Sequence, residues 1–200
     1  MREHTIKLYK FTELDATAQE RAIEKWREGI DWSINSEMIS EDFKYDLYEK
    51  YDYPNDDVEW ALNHCQGDGV AFYGKVDNVW DLASRLLTQA EFDLLVNYQD
   101  DFDLSIEIAR NGYANHYSHW NTMDVYFEVY EHEEGTLSDV VRDVIDRFHQ
   151  LVEQDVKDVS RTLEKEGYDQ IEHLESDDYI RQELTENEAE FTSDGDIFVG

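Results

Sequence analysis

Apolar residues recur along this chain with two different periods, and the switch between them predicts its architecture. Residues 5–11, TIKLYKF, alternate apolar and polar side chains and predict a first strand. Thr17-Ala-Gln-Glu20 has the form of a capping box, in which the threonine oxygen and the glutamate each take up an orphan amide. The helix it opens carries Ala22, Ile23, Trp26 and Ile30 at helical spacing. Residues 36–50 predict a second helix with Phe43 and Leu47 inward and Tyr51 just beyond; Pro54-Asn55 then marks a turn.

Two short strands follow, VEWALNH (58–64) and VAFYGKV (70–76), joined by a glycine-flanked aspartate. Residues 79–98 read as helix in two pieces, broken near Thr88. LSIEIAR (104–110) and MDVYFEVY (123–130) alternate most clearly, and the polar aromatic stretch between them predicts a long hairpin. From Leu137 the period becomes 3.6. Leu137, Val140, Val141, Val144, Ile145, Phe148, Leu151, Val152, Val156, Val159 and Leu163 form one stripe, with Gly167 as the expected C-terminal stop. A helix of ~30 residues spans about 45 Å, enough to lie across a sheet. A shorter helix at 177–188, capped by Ser176, and a tail that adds a strand or a docked loop complete the chain.

This order predicts an α+β fold. An antiparallel sheet of about four to five strands packs against N-terminal helices and a long C-terminal amphipathic helix. One domain over 1–200 is expected, its sheet-containing part at 1–135 and an acidic helical part at 136–200. The 5 Trp, 13 Tyr and 9 Phe are more aromatic side chains than a disordered chain carries. A lone cysteine, Cys65, excludes an internal disulfide framework and a thiolate zinc cluster. No apolar run reaches about 18 residues and the N-terminus lacks a signal-peptide core, so a soluble, intracellular protein is expected.

Charge alters the picture most. Forty-nine Asp and Glu face 17 Lys and Arg, a formal net charge of −32. Such a surface disfavours direct binding to nucleic acid or to an anionic membrane and favours a basic partner; solubility and adaptation to high salt are the alternatives. Residues 131–200 hold 22 acidic and 6 basic residues, net −16. Asp139, Asp143, Asp146, Glu153, Asp155, Asp158 and Glu164 lie away from the apolar stripe of the long helix. Glu175, Asp177, Asp178, Glu183 and Glu186 follow in a stretch where Arg181 is the only cation between 172 and 190. These twelve carboxylates are the candidate partner-binding residues, in the ordered rows a nucleic-acid mimic requires.

Catalytic signals are sparse. Gln66 and Asp68 of the loop Gln66-Gly67-Asp68-Gly69 are candidate ligand contacts, but the glycines permit positive φ and the aspartate can close an Asx turn, which accounts for the loop as a strand connection. His116 and His119, three apart, point to opposite faces of a regular strand, which spoils joint metal ligation unless a bulge or turn intervenes; His149 is expected to face solvent. Cys65 is expected as a small buried residue. No GxSxG or HExxH occurs, so no metal, cofactor or catalytic residue is expected.

Four stretches, YKFTELDATAQERAIEKW, QGDGVAFYG, ARNGYANHYSHWNTMDV and ENEAEFTSDG, together resemble a family of small acidic bacteriophage proteins with a QGDGxxFxG motif, sometimes labelled antitoxin-like. Where that pattern usually has serine before Gln66, this chain has Cys65. The resemblance implies a phage-encoded protein acting in the host cytoplasm, and assigns no activity to particular residues. By analogy with phage accessory proteins, the expectation is an acidic inhibitor or decoy that binds a basic, nucleic-acid-binding defence protein such as a CRISPR effector or a restriction enzyme. A metal- or ligand-dependent enzyme built on the loop and the 116–119 histidines, and an antitoxin or assembly partner recognised through Tyr117 and Trp120, are the alternatives.

Overall fold

The computed structural model describes residues 6–112, 114 and 116–198. In chain order its elements are β1 (Tyr9–Lys10), α1 (Ala16–Glu28), α2 (Trp32–Glu49), β2 (Asp57–Ala61), β3 (Gly69–Lys75), α3 (Val79–Leu86), α4 (Gln89–Asn97), β4 (Phe102–Arg110), β5 (Met123–Glu131), α5 (Asp139–Glu175), α6 (Asp177–Glu186) and β6 (Glu190–Phe191). The fold is α+β, with a four-stranded antiparallel sheet in the order β2-β3-β4-β5 and a separate antiparallel β1–β6 pair. Among the described residues no helix is long and apolar enough to cross a membrane.

The chain forms two compact units, Met1–Ser36 with Tyr168–Gly200, and Glu37–Gly167. Helix α5 contributes residues to both. In the first unit, Phe11, Leu14, Ala18, Ala22 and Ile23 bury against Ile180, Leu184 and Phe191. The short β1 pairs Tyr9 with Phe191 and closes that core from the far end of the sequence. The expected strand at 5–11 is thus cut to two residues, with Thr5 outside the described region, because Phe11–Glu13 turns into a single 3₁₀ turn. Asp15, not Thr17, caps α1, accepting a hydrogen bond from the Ala18 amide at 2.9 Å; Thr17 already lies inside the first turn.

In the second unit α2 supplies Ile39, Phe43 and Leu47, and Phe43 meets Trp60 of β2 edge to face at 6.0 Å. Strand β3 is buried from Gly69 through Tyr73, which explains why its sequence is continuously apolar rather than alternating. It pairs fully with β2 but with β4 only at Gly74↔Ile108 and Lys75↔Glu107. The freed backbone is met from α5, where buried Ser160 donates to the Val70 carbonyl. Helices α3 and α4 break at Thr88, whose hydroxyl and the Glu91 carboxylate cap one another's backbone as a capping box. β4 and β5 pair from Phe102↔Glu131 to Arg110↔Met123, the expected hairpin.

The long helix packs its stripe as the period requires, with Val141, Ile145, Phe148, Val152, Val156, Val159 and Leu163 buried and Phe148 edge-on to Phe127 at 5.4 Å. Two expectations about it fail. Val140, in the first turn of α5, is 63% exposed. Gly167 does not end the helix, which continues to Glu175. A Cβ there would stand 2.4 Å from Leu62 Cδ1 and 2.7 Å from Phe43 Cζ, so the glycine admits close packing and accepts the propensity loss of about 1 kcal/mol.

Candidate functional site

The glycine-flanked aspartate organises its own loop. The Asp68 carboxylate accepts hydrogen bonds from the backbone amides of Asn63 at 2.6 Å and Cys65 at 2.9 Å, and from the Cys65 thiol at 3.0 Å. Gly67 and Gly69 adopt φ of +99° and +150°. A Cβ on Gly67 would lie 2.1 Å from Tyr117 Cδ1, and one on Gly69 2.6 Å from His119 Cβ. Both glycines are therefore required twice, by backbone conformation and by the hairpin segment pressed against them.

The sheet connection thus brings together the two stretches that the sequence offers as an alternative site. Gln66, Asp68, His116 and Tyr117 line one cleft of about 550 Å³ together with Trp60 and Glu59. Gln66 is exposed there, whereas Asp68 is engaged by its own loop. Cys65 is exposed rather than buried, since it stands at the loop's outer turn. Its thiol pKa is raised by the hydrogen bond to the Asp68 carboxylate, which keeps it protonated and a poor nucleophile. His119 caps the short 3₁₀ turn at Trp120–Thr122, accepting from the Asn121 amide through Nδ1 at 3.0 Å. Among the described residues no group of three or more His, Cys, Asp or Glu side chains is placed to hold a metal ion.

The twelve acidic candidates divide between the two units. Asp139, Asp143, Asp146, Glu153 and Asp158 are exposed on α5. Asp158 is engaged by Arg161 at 3.2 Å and by Gln154 at 2.9 Å. Glu164 is half-buried toward the loop; burial first, then the nearby Asp68 charge, raise its pKa. On the other unit Glu175, Asp178 and Glu186 are exposed, Asp177 pairs with Arg27, and Glu183 is half-buried.

Asp155 departs from the expected row. Its carboxylate faces inward, where Arg85 donates to it at 3.2 and 2.7 Å and the Tyr53 hydroxyl at 2.8 Å. Arg85 also donates to the Tyr51 carbonyl at 2.7 Å. Burial and the Asp155 charge push the Tyr53 phenol far above its usual pKa, so it remains a donor. Asp155 is a structural residue because the helix turns that position toward the α2–β2 connection. His149, expected in solvent, instead stacks on Phe127 at 4.8 Å with Nε2 3.7 Å from Glu153.

The cations of the first half of α5 are drawn aside. Arg142 pairs with Glu131 and Arg147 with Glu91 at 3.0 Å. Asp139, Asp143 and Asp146 are left without an ion pair among the described residues. The charge count alone does not reveal this, since the arginines lie between these aspartates in sequence.

No family model, curated protein or solved structure matches this chain.

Proposed function

We propose that this protein is a non-catalytic acidic binder that engages a basic, nucleic-acid-binding protein by standing in for a polyanion. The observation that carries the reading is the row Asp139, Asp143, Asp146 and Glu153. All four are exposed on α5, and the neighbouring arginines are committed elsewhere. At 1.5 Å per residue the row extends about 21 Å, and at 3.6 residues per turn it stays within roughly 80° of one side of the helix. A stiff helix holds these charges in place without the ordering entropy a flexible acidic tail would lose on binding. CRISPR effectors and restriction enzymes, the partners expected of a phage-encoded inhibitor acting in the host cytoplasm, are the first proteins to try.

The test is competition. Purified basic nucleic-acid-binding proteins, those two classes among them, are loaded with a fluorescent DNA duplex and the acidic protein is titrated in. Displacement is expected at low salt, weakening roughly tenfold or more between about 50 and 200 mM salt. The variant D139N/D143N/D146N/E153Q is expected to compete about tenfold less well, since each exposed charge contributes about 0.2–1 kcal/mol. Competition indifferent to both salt and these four substitutions rules the mechanism out.

A further inference from the structure

Two adjoining clefts of about 300 and 290 Å³ open beside the C-terminal half of α2, sharing Tyr48 and Glu49 as their common wall. The first is completed by Tyr45, Glu41 and Asp56, the second by Asp52, Asp77 and Asp81. Tyr45 and Tyr48, one helical turn apart on the same side of α2, are 62% and 57% exposed. Lys44, the one cation among the described residues lining the pair, is held by Glu41 at 2.7 Å. Glu49, Asp56 and Asp77 form no ion pair with any described residue.

This molecule fills two similar constellations with its own arginines. Arg110 lies 4.1 Å over the Tyr73 ring while donating to Asp57 at 2.7 and 3.0 Å and to Glu59 at 2.6 Å. Arg85 lies 5.5 Å from the Tyr53 ring while its guanidinium grips Asp155. Each site pairs a tyrosine face with carboxylates at its edge, which suits a planar guanidinium better than a point-charge ammonium. At α2 the same combination is present with no arginine among the described residues lining it.

We propose that the paired clefts at Tyr45 and Tyr48 are sockets for two arginine side chains of a basic protein partner. The inference rests on the polyanion reading above for the partner's charge, and adds where its arginines insert and why arginine is chosen. In each socket a guanidinium stacks on a tyrosine ring and donates to Glu49 and to Asp56 or Asp77. The clefts are at the lower limit of small-molecule sites, a size for single side chains rather than a cofactor.

Octa-arginine and octa-lysine peptides, equal in charge, serve as probes, with binding followed by fluorescence anisotropy at low salt. The wild-type protein is expected to prefer octa-arginine by about fivefold, from two exposed cation–π contacts. Y45L/Y48L abolishes that preference and leaves octa-lysine binding unchanged; E49Q/D77N weakens both peptides; D139N/D143N/D146N/E153Q retains the preference at lower affinity. All these positions are exposed, and a urea midpoint equal to wild type verifies folding. If Y45L/Y48L still prefers arginine while the α5 variant loses affinity, the sockets are refuted and the polyanion reading stands. If no variant alters binding of either peptide, both are refuted.

Discussion

Asp155 and Asp143 lie on the same helix and carry the same charge, yet removing the first should cost stability and removing the second should cost almost none. Asp155 and Arg85 retain only 20% and 26% side-chain exposure, too little for water to replace either partner. Asp155→Ala deletes a bidentate pair and the acceptor of the Tyr53 hydroxyl. Hydrogen bonds to charged groups contribute about 1.5–3 kcal/mol, and breaking a fully buried pair costs about 3–5 kcal/mol. Partial exposure and the remaining Asp52 carboxylate, 3.4 Å from Arg85 Nε, lower that figure to about 2–3 kcal/mol. For a chain of this length the fall in Tm is roughly 4–12 °C.

Urea unfolding followed by tryptophan fluorescence measures the change, with a lowered midpoint and an unchanged m value. Asp143→Asn is the control and should lie within about 0.5 kcal/mol of wild type. Arg85→Met closes a double-mutant cycle. Once either partner is gone the other has little left to lose, so the double variant should be less destabilised than the sum by about 1.5 kcal/mol or more. Asp155→Ala no more harmful than Asp143→Asn, or additive with Arg85→Met, would refute the structural role assigned to this pair.

Two further outcomes are expected. Gly167→Ala should destabilise the protein by about 1–2 kcal/mol, although alanine is the better helix former, because overpacking against Leu62 and Phe43 outweighs the propensity gain; a raised urea midpoint would contradict the packing account. Asp68→Asn should make the Cys65 thiol react faster with a disulfide reagent near pH 8. The lost carboxylate hydrogen bond lowers the raised thiol pKa and enlarges the thiolate fraction, so an unchanged or slower reaction would show that Asp68 does not hold the thiol.

Local signals made most of the elements legible. The alternation at 104–110 and 123–130 sufficed for the β4–β5 hairpin because an exposed edge pair keeps one polar face. Thr88 and Ser176 marked helix starts because their hydroxyls act on amides two or three residues away. The same local logic misplaced the cap of α1, where Asp15 competes with Thr17 two residues later and no nearby pattern decides between them. It also misjudged Gly167, since a glycine needed for packing and one needed to end a helix look alike along the chain.

At the candidate sites the sequence reached less far. It located the carboxylates of α5 and the turn at Asp68, but Asp155 was indistinguishable from Asp143 and Asp158 by spacing. Only the approach of Arg85, 70 residues away, separates them. The Tyr45–Tyr48 clefts went unseen because their walls come from α2, the turn at Asp52 and Asp56, and the start of α3.

Taken alone, the order of residues determined the helix and strand types, the acidic character and the need for a glycine-bearing turn, since periodicity, net charge and φ preference are properties of neighbours along the chain. Tertiary structure decided which carboxylates are spent internally, which stay free, and which tyrosines stand beside them. Those outcomes depend on residues tens of positions apart meeting in space, and pairing between distant charges leaves no trace in local spacing.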